Sequence, residues 1–440
     1  MARSRIVSAL DVGSSKIATL IAQIEEDGNI NILGSSATPS QGIKRGQVIN
    51  IEEATRAIIT SIEAAERMAG YNLANTFVSV GGAHIVSQNS RGVVAVTSPG
   101  GEVVEEDVSR VLESARAISL PASREILHIL PRTYTVDSQE GIIDPIGMSG
   151  VRLEVETHII TASSTSLKNL QKCVEEVGTK VEAFIFDALA SASIVATPTE
   201  KELGVTLIDI GGGTTSVAIF SEGAPVYSLV VPIGAKNITN DLAIGLRLSI
   251  EDAERLKLAL TDQPEKTRIN NLAKPKKTVV ETEKANEQDD EKELDLEKLG
   301  IKTDGKKITK KIVIEEIIRP RLEEIFGLIY DELKRNNLLE LIPAGAILTG
   351  GGAQTASVVD ICRRTMALPA RIGIPQNVSG LVDDILTPEF ATTIGLITYS
   401  QKNTEQLTGG NLRRMMNGLP GLPIKGTFEK TIKFIKSFLP

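Results

Sequence analysis

Aromatic side chains make up only 3% of this 440-residue chain, which has no tryptophan, two cysteines and three histidines. Cys173 and Cys362 stand far apart and outside any CxxC or Cys/His cluster, so neither a disulfide framework nor a zinc site is implied. No apolar stretch approaches the roughly 20 residues that cross a bilayer. The opening "MARSRIVSALDVGSS" carries basic residues and a short apolar run, but Asp11 ends that run too early for a signal peptide. Positive charge is in deficit, 48 Lys and Arg against 56 Asp and Glu, and the net charge of -8 argues against broad affinity for nucleic-acid phosphates. The expected compartment is the cytoplasm, with no nucleic-acid partner.

What is present is the composition of a folded globular chain, 41% hydrophobic and 24% charged, long enough for two or more domains. "RIVSAL", "DVGSS" and "KIATLIAQI" read as strand, turn, strand, and "IEEATRAIITSIEAAERMAG" as a helix with Ala54, Ile58, Ile62, Ala65 and Met68 on one buried stripe and Gly70 as its stop. "NTFVSVGG" is a further strand, so strands alternate with helices as in an α/β sheet domain. From Ile85 to Ser163 the texture changes to strand, helix, strand, strand, the pattern of a compact inserted α+β module. A helix, "STSLKNLQKCVEEVG", then leads through "VEAFIFDALASASIVA" to a second hairpin, "GVTLIDIGGGTTSVAIF". There the chain repeats itself: Leu10, Asp11, Val12, Gly13 and Ser14 line up with Ile208, Asp209, Ile210, Gly211 and Gly212. Two such hairpins imply two similar half-domains.

Residues 276–307 hold 18 charged side chains in 32 and no aromatic, a composition that predicts a mobile insertion without a core of its own. Within it, "GIKTDGKK" approaches the phosphate-loop pattern GxxxxGK[ST], but Lys307 replaces the hydroxyl residue and no strand precedes it.

Three glycine-rich turns follow strands: "DVGSS" at 11, "DIGGGTT" at 209 and "TGGGA" at 349. Glycine lets backbone N–H groups approach phosphate oxygens closely, which nominates Gly13, Gly211, Gly212, Gly213, Gly350, Gly351, Gly352 and Ala353 as nucleotide contacts. Ser14, Ser15, Thr214 and Thr215 add hydroxyl donors, and Lys16 either reaches a phosphate or faces solvent. Asp11 and Asp209 would be repelled by phosphate, yet each can hold the waters of a magnesium ion bridging the phosphates. One such turn is ordinary turn chemistry, whereas three, two of them in matching contexts, favour ATP and Mg2+ in a cleft between the half-domains.

The triple pattern resembles the phosphate 1, phosphate 2 and adenosine motifs of the actin, heat-shock-protein-70 and sugar-kinase superfamily. Within it, "GIKRGQVINIEEA", "AERMAGYNLANTFVSVGGAHIVSQNSRGVV" and "DPIGMSGVRLEVETHIITA" resemble the FtsA family of actin-like bacterial cell-division proteins. The resemblance implies an actin-like ATPase fold with two half-domains around a nucleotide cleft and a small inserted module. It places the first half-domain at 1–84, the insert at 85–163, and a return with the interdomain helix at 164–200. The second half-domain then covers 201–235 and 316–385, with a subdomain at 236–315 carrying the charged insertion at about 263–310. A return helix at 386–399, a flexible linker at 400–424 and a membrane-targeting helix at 425–440 complete it.

The resemblance also nominates Gly234, Asn237, Glu254 and Lys257 as nucleoside contacts, whereas the residues alone favour reading Glu254 and Lys257 as a solvated i, i+3 pair. Asp187 becomes the residue that positions an attacking water; its alternative is a helix N-cap. With no strong general base in view, turnover is expected to be slow at most. The implied function is polymerisation on the cytoplasmic face of the membrane at the division site, tethering FtsZ, with other cell-division proteins and further copies of the chain as partners. A small-molecule kinase on the same fold, or an MreB-like or pilus-assembly relative, is the alternative.

The C-terminus agrees with a membrane role. Three of nine phenylalanines fall in the last thirteen residues. On a helical projection Phe428, Ile432, Ile435, Phe438 and Leu439 share one side with Phe434 at its edge, and Lys430, Lys433 and Lys436 lie opposite. A basic amphipathic helix behind a polar linker is suited to anionic lipid surfaces.

Overall fold

The computed structural model describes residues 5–408 except positions 26, 99, 262–293, 295, 297, 302–307 and 382–383, with side chains as far as 401. The proposed membrane helix at 425–440, and most of the charged insertion, lie outside the described residues. The chain divides into a unit over Met1–Thr398 and another over Tyr399–Pro440, and the architecture below is that of the first.

The fold begins with an antiparallel meander of β1 (Arg5–Val12), β2 (Lys16–Ile24) and β3 (Ile30–Pro39). Ile17 to Ala22 of β2 are buried in succession, so this central strand is covered on both faces; the run is apolar except for Thr19, whose hydroxyl is hydrogen-bonded with that of Ser61 at 2.8 Å. A short hairpin, β4 (Ile43–Lys44) and β5 (Gln47–Val48), leads to α1 (Ile51–Ala69). The Asn50 side chain caps the start of α1 by accepting from the Glu53 N–H, and Gly70 stops it at φ 71°. Ala54, Ala57, Ile58, Ser61, Ile62 and Ala65 face the sheet. Met68 does not join that stripe: it is exposed in the last turn, where its sulfur accepts from the Ser35 N–H.

After β6 (Asn75–Val80) comes the inserted module, made of β7 (Val86–Ala95), α2 (Glu105–Arg116), β8 (Arg124–Val136), β9 (Gln139–Ile142) and β10 (Arg152–Ser163). Its sheet runs β7-β10-β8-β9, and Val111, Ala115, Tyr134, Leu153 and Val155 form a core of their own. Buried His158 of β10 bridges outward, sharing hydrogen bonds with Asn89 Oδ1 at 2.8 Å and with Ser228 Oγ at 3.0 Å.

The chain returns through α3 (Ser164–Glu175), β11 (Lys180–Phe186), α4 (Asp187–Val195) and α5 (Pro198–Leu203). A second meander follows in β12 (Val205–Ile210), β13 (Thr215–Ser221) and β14 (Ala224–Val231), then α6 (Ala235–Leu246) and α7 (Ile250–Ala259). A π-helical stretch over Val313–Ile318 opens into α8 (Arg319–Arg335). β15 (Ala346–Thr349), α9 (Val358–Met366), β16 (Ala370–Ile372), β17 (Val378–Gly380) and α10 (Ala391–Thr408) complete the order.

The two main sheets have one plan. The first is ordered β11-β6-β1-β2-β3-β17 and the second β14-β13-β12-β15-β16. In each, a three-stranded meander is extended from its first strand by two parallel strands, β6 and β11 in one and β15 and β16 in the other.

Two further expectations need correction. Part of the charged stretch does contribute to a core: Leu296, Ile301 and Ile308 are 5%, 1% and 5% exposed and join Ile208, Val217, Leu256 and Phe326 in the second half-domain. Composition averaged over residues 276–307 hid Leu296 and Ile301, and Ile308 follows directly after. The last helix also runs to Thr408, past the expected linker start at 400.

Candidate nucleotide cleft

The turns ending β1 and β12 are built alike. Gly13 N–H donates to the Lys16 carbonyl at 3.1 Å, and Gly211 N–H to the Thr214 carbonyl at 2.9 Å. A Cβ on Gly13 would fall 2.8 Å from the Lys16 oxygen, so that closure requires glycine. The two turns meet face to face. A Cβ on Gly212 would lie 2.6 Å from the Ser15 Cβ, and one on Gly213 2.9 Å from the Ser14 Cβ. Ser14 Oγ accepts from the Gly46 N–H at 2.9 Å, and Thr215 spends its hydroxyl on the Ile233 carbonyl at 2.8 Å, so Thr215 supports the turn from behind.

The third turn packs on the end of β12. Gly350, at φ 80°, donates to the Pro388 carbonyl at 3.0 Å, and a Cβ there would stand 2.3 Å from Asp209 Oδ1. Gly351 and Gly352 continue into a 3₁₀ turn with buried Ala353, and Gly352 lies against Ile210. From the other side, Gly234 is pressed on the Gly211 carbonyl, and the Ala235 and Lys236 N–H groups donate to the carbonyls of Gly211 and Gly212 at 2.9 Å each. Asn237 Oδ1 closes this corner by accepting from the Gly234 N–H at 3.2 Å. Glu254 and Lys257 are not a solvated pair: Lys257 is buried, and its ammonium donates to Glu254 at 2.7 Å and to Thr239 Oγ1 at 2.8 Å.

Three carboxylates, all with raised pKa, meet at the cleft. Burial is the main cause for Asp11, pushed up to about 6; the Asp209 charge adds to it, while the Ser79 hydroxyl bond and Lys16 offset part of it. Asp209 is raised by burial although Ser191 at 2.6 Å and Thr392 at 2.9 Å both donate to its Oδ2. Asp187 stands well above the usual carboxylate range, through burial and then the charge of Asp209. It opens α4 at the first helical position, so it is not the N-cap residue, which is Phe186. Its oxygens accept from the Ala188 N–H at 2.7 Å and the Ser216 hydroxyl at 2.8 Å, and only a glycine at position 81 leaves room for it. Lys16 is paired with Glu389 at 3.1 Å and lies 3.7 Å over the Phe390 ring.

Hard carboxylate oxygens crowded at raised pKa are a donor set that a divalent cation relieves. No group of three acidic, histidine or cysteine side chains among the described residues is arranged to hold an ion alone. Magnesium beside a nucleotide takes one or two carboxylates together with waters and phosphate oxygens, which Asp11 and Asp209 fit.

Sequence reasoning passed over Ser79, Gly81, Ser216, Lys236, Glu389 and Thr392, which reach the cleft from scattered elements without a shared spacing. Ser191 was readable: it stands four residues after Asp187 on the same helix face.

Two sheets of one plan, joined at matched glycine turns with a third turn closing the cleft, define the actin-like ATPase fold. Solved structures bear this out: the chain aligns over 90% of its length, and 98% of the other, with the PilM-PilN type IV pilus biogenesis complex at TM-score 0.61 and 16% identity. MreB5 of Spiroplasma citri, solved bound to AMPPNP, aligns over 93% of this chain and 100% of that one at TM-score 0.53 and 14% identity. Two family models match, "SHS2 domain inserted in FTSA" over residues 82–161 and "Cell division protein FtsA" over 206–395. Cell division protein FtsA of Pseudomonas aeruginosa is 37% identical over 92% of this chain and 91% of its own length. That of Bacillus subtilis is 34% identical over 92% and 85%. The chain belongs to the FtsA family of cell division proteins.

Proposed function

We propose that this protein binds ATP with magnesium in the cleft, assembles into filaments at the cytoplasmic face of the membrane at the division site, and anchors FtsZ there. The observation that carries the ATP reading is the meeting of two matched glycine turns and a third glycine turn beside three carboxylates of raised pKa. Backbone N–H groups of Ser14, Ser15, Gly212 and Gly213 would take phosphate oxygens, and Gly234, Asn237, Glu254, Lys257 and Gly350–Ala353 the nucleoside. Asp11 and Asp209 would hold the magnesium waters, and the ion supplies positive charge against the phosphates. Asp187 would orient water; while it keeps its proton it cannot accept another, which favours slow turnover. The turns touch each other, so phosphates entering between them must first part them.

Membrane attachment rests on the sequence of the tail, and FtsZ and other division proteins as partners rest on the family. Incubating the protein with ATP, magnesium and acidic vesicles and imaging by electron microscopy tests the reading. Filaments on the vesicle surface are expected; bare vesicles with free monomer would overturn the assembly role.

A further inference from the structure

Two lysines reach the phosphate turns, and their surroundings differ. Lys16 already has a counter-charge: Glu389 lies 3.1 Å from its buried ammonium, which makes no hydrogen bond, the Phe390 ring lies beneath it, and its charge is felt by both Asp11 and Asp209. Lys236 has no carboxylate within ion-pair distance among the described residues. Its ammonium crosses from the second half-domain to the tip of the first turn, where it donates to the Ser14 carbonyl at 2.8 Å. Its main chain is fixed to the opposite turn by the bond to the Gly212 carbonyl at 2.9 Å. The residue is exposed, so an incoming anion meets it at the rim.

We infer that Lys236, more than Lys16, is the lysine that binds the distal phosphates of the nucleotide, and that Glu389 holds Lys16 back. This deepens the ATP reading and rests on it. A phosphate chain carries several negative charges, so it gains most from a cation with no acid of its own. Lys236 gives up only a neutral carbonyl to engage it, whereas Lys16 must leave a carboxylate and an aromatic face. Because Lys236 is rooted in one half-domain and reaches the turn of the other, phosphate bound to it ties the halves together.

Calorimetry with ATP, ADP and AMP on the full chain tests this. Lys236→Met should weaken ATP binding by about tenfold to a hundredfold, the range for a lost charge-assisted bond, and leave AMP within about twofold. Lys236→Arg should stay within about threefold of the wild type for ATP. Lys16→Met should cost less than Lys236→Met, and Glu389→Gln should tighten ATP. Should Lys236→Met not fold, Lys236→Gln makes the same comparison. Unchanged ATP affinity, an equal loss for AMP and ATP, or a larger loss from Lys16→Met overturns the inference while the cleft reading stands. A wild-type protein that binds no nucleotide overturns both.

Discussion

Replacing Asp11 by Asn should make the nucleotide-free protein more stable at neutral pH. The carboxyl is raised from 3.8 to about 6, chiefly by burial. A shift of about two units corresponds to about 3 kcal/mol, and since the residue keeps some contact with solvent about 2 kcal/mol is expected. The sign follows from proton binding. The folded state holds this proton more tightly than the unfolded chain, so below pH 3.8 the charge costs nothing. The cost grows between pH 3.8 and about 6 and is complete above that range. Asparagine keeps the shape, its side-chain oxygen can still accept from Ser79, and its charge is gone. Urea unfolding without nucleotide should therefore place the variant about 2 kcal/mol above the wild type at pH 7.5 and level with it near pH 4, at equal denaturant slope. The same variant should lose most of the added stability that magnesium and ATP give the wild type, because the carboxylate that holds the ion's waters is missing. Destabilisation at pH 7.5, or a difference that does not change with pH, would refute the account of the cleft charge.

Ile301→Ala should lower stability by about 2 to 5 kcal/mol in urea unfolding, since this side chain is 1% exposed in the core of the second half-domain. Ile312→Ala, at 38% exposure, is the control, and equal small effects would return the segment around Ile301 to a coreless role. His158 is held near pKa 4, by burial first and then by Arg132, so the fold requires it neutral. Stability should fall as pH drops from 6.5 towards about 4, because only the unfolded chain takes up that proton. In an Asp11→Asn background, which removes one of the opposing carboxylate titrations, His158→Gln should flatten this slope; an unchanged slope assigns it to other groups. In the tail, Ile432→Glu should abolish vesicle sedimentation on any lipid, whereas Lys433→Glu should weaken it mainly on anionic vesicles at low salt. Equal sedimentation of a chain lacking residues 426–440 would remove the tail as the anchor.

The sequence carried the fold wherever one strong local rule acted. The β1 and β12 turns were legible because glycine is required twice in the same setting, and α1 because Asn50, an apolar stripe and Gly70 agree. Strands β3 and β14 were not read: "INILGSSATP" mixes glycine and serines into a strand whose place is fixed by pairing with β2. The cleft was half legible for a related reason. Asp11 and Asp209 lie at the strand ends that lead directly into the turns, while Ser79, Glu389 and Thr392 come from other elements. Leu296 and Ile301 were hidden by their charged neighbours, since burial is decided residue by residue and composition is an average.

The meeting of the two turns is an isologous contact within a single chain. Ser14 corresponds to Gly212 and Ser15 to Gly213, yet Ser14 touches Gly213 and Ser15 touches Gly212, as residues related by a local two-fold axis must. Side chains on one turn occupy the space that their absence from the other leaves open. A side chain at 212 is excluded while Ser15 stands, since its Cβ would lie 2.6 Å from that of Ser15. What looks like an imperfect repeat in the sequence is the complementarity that lets two copies of one turn share an axis.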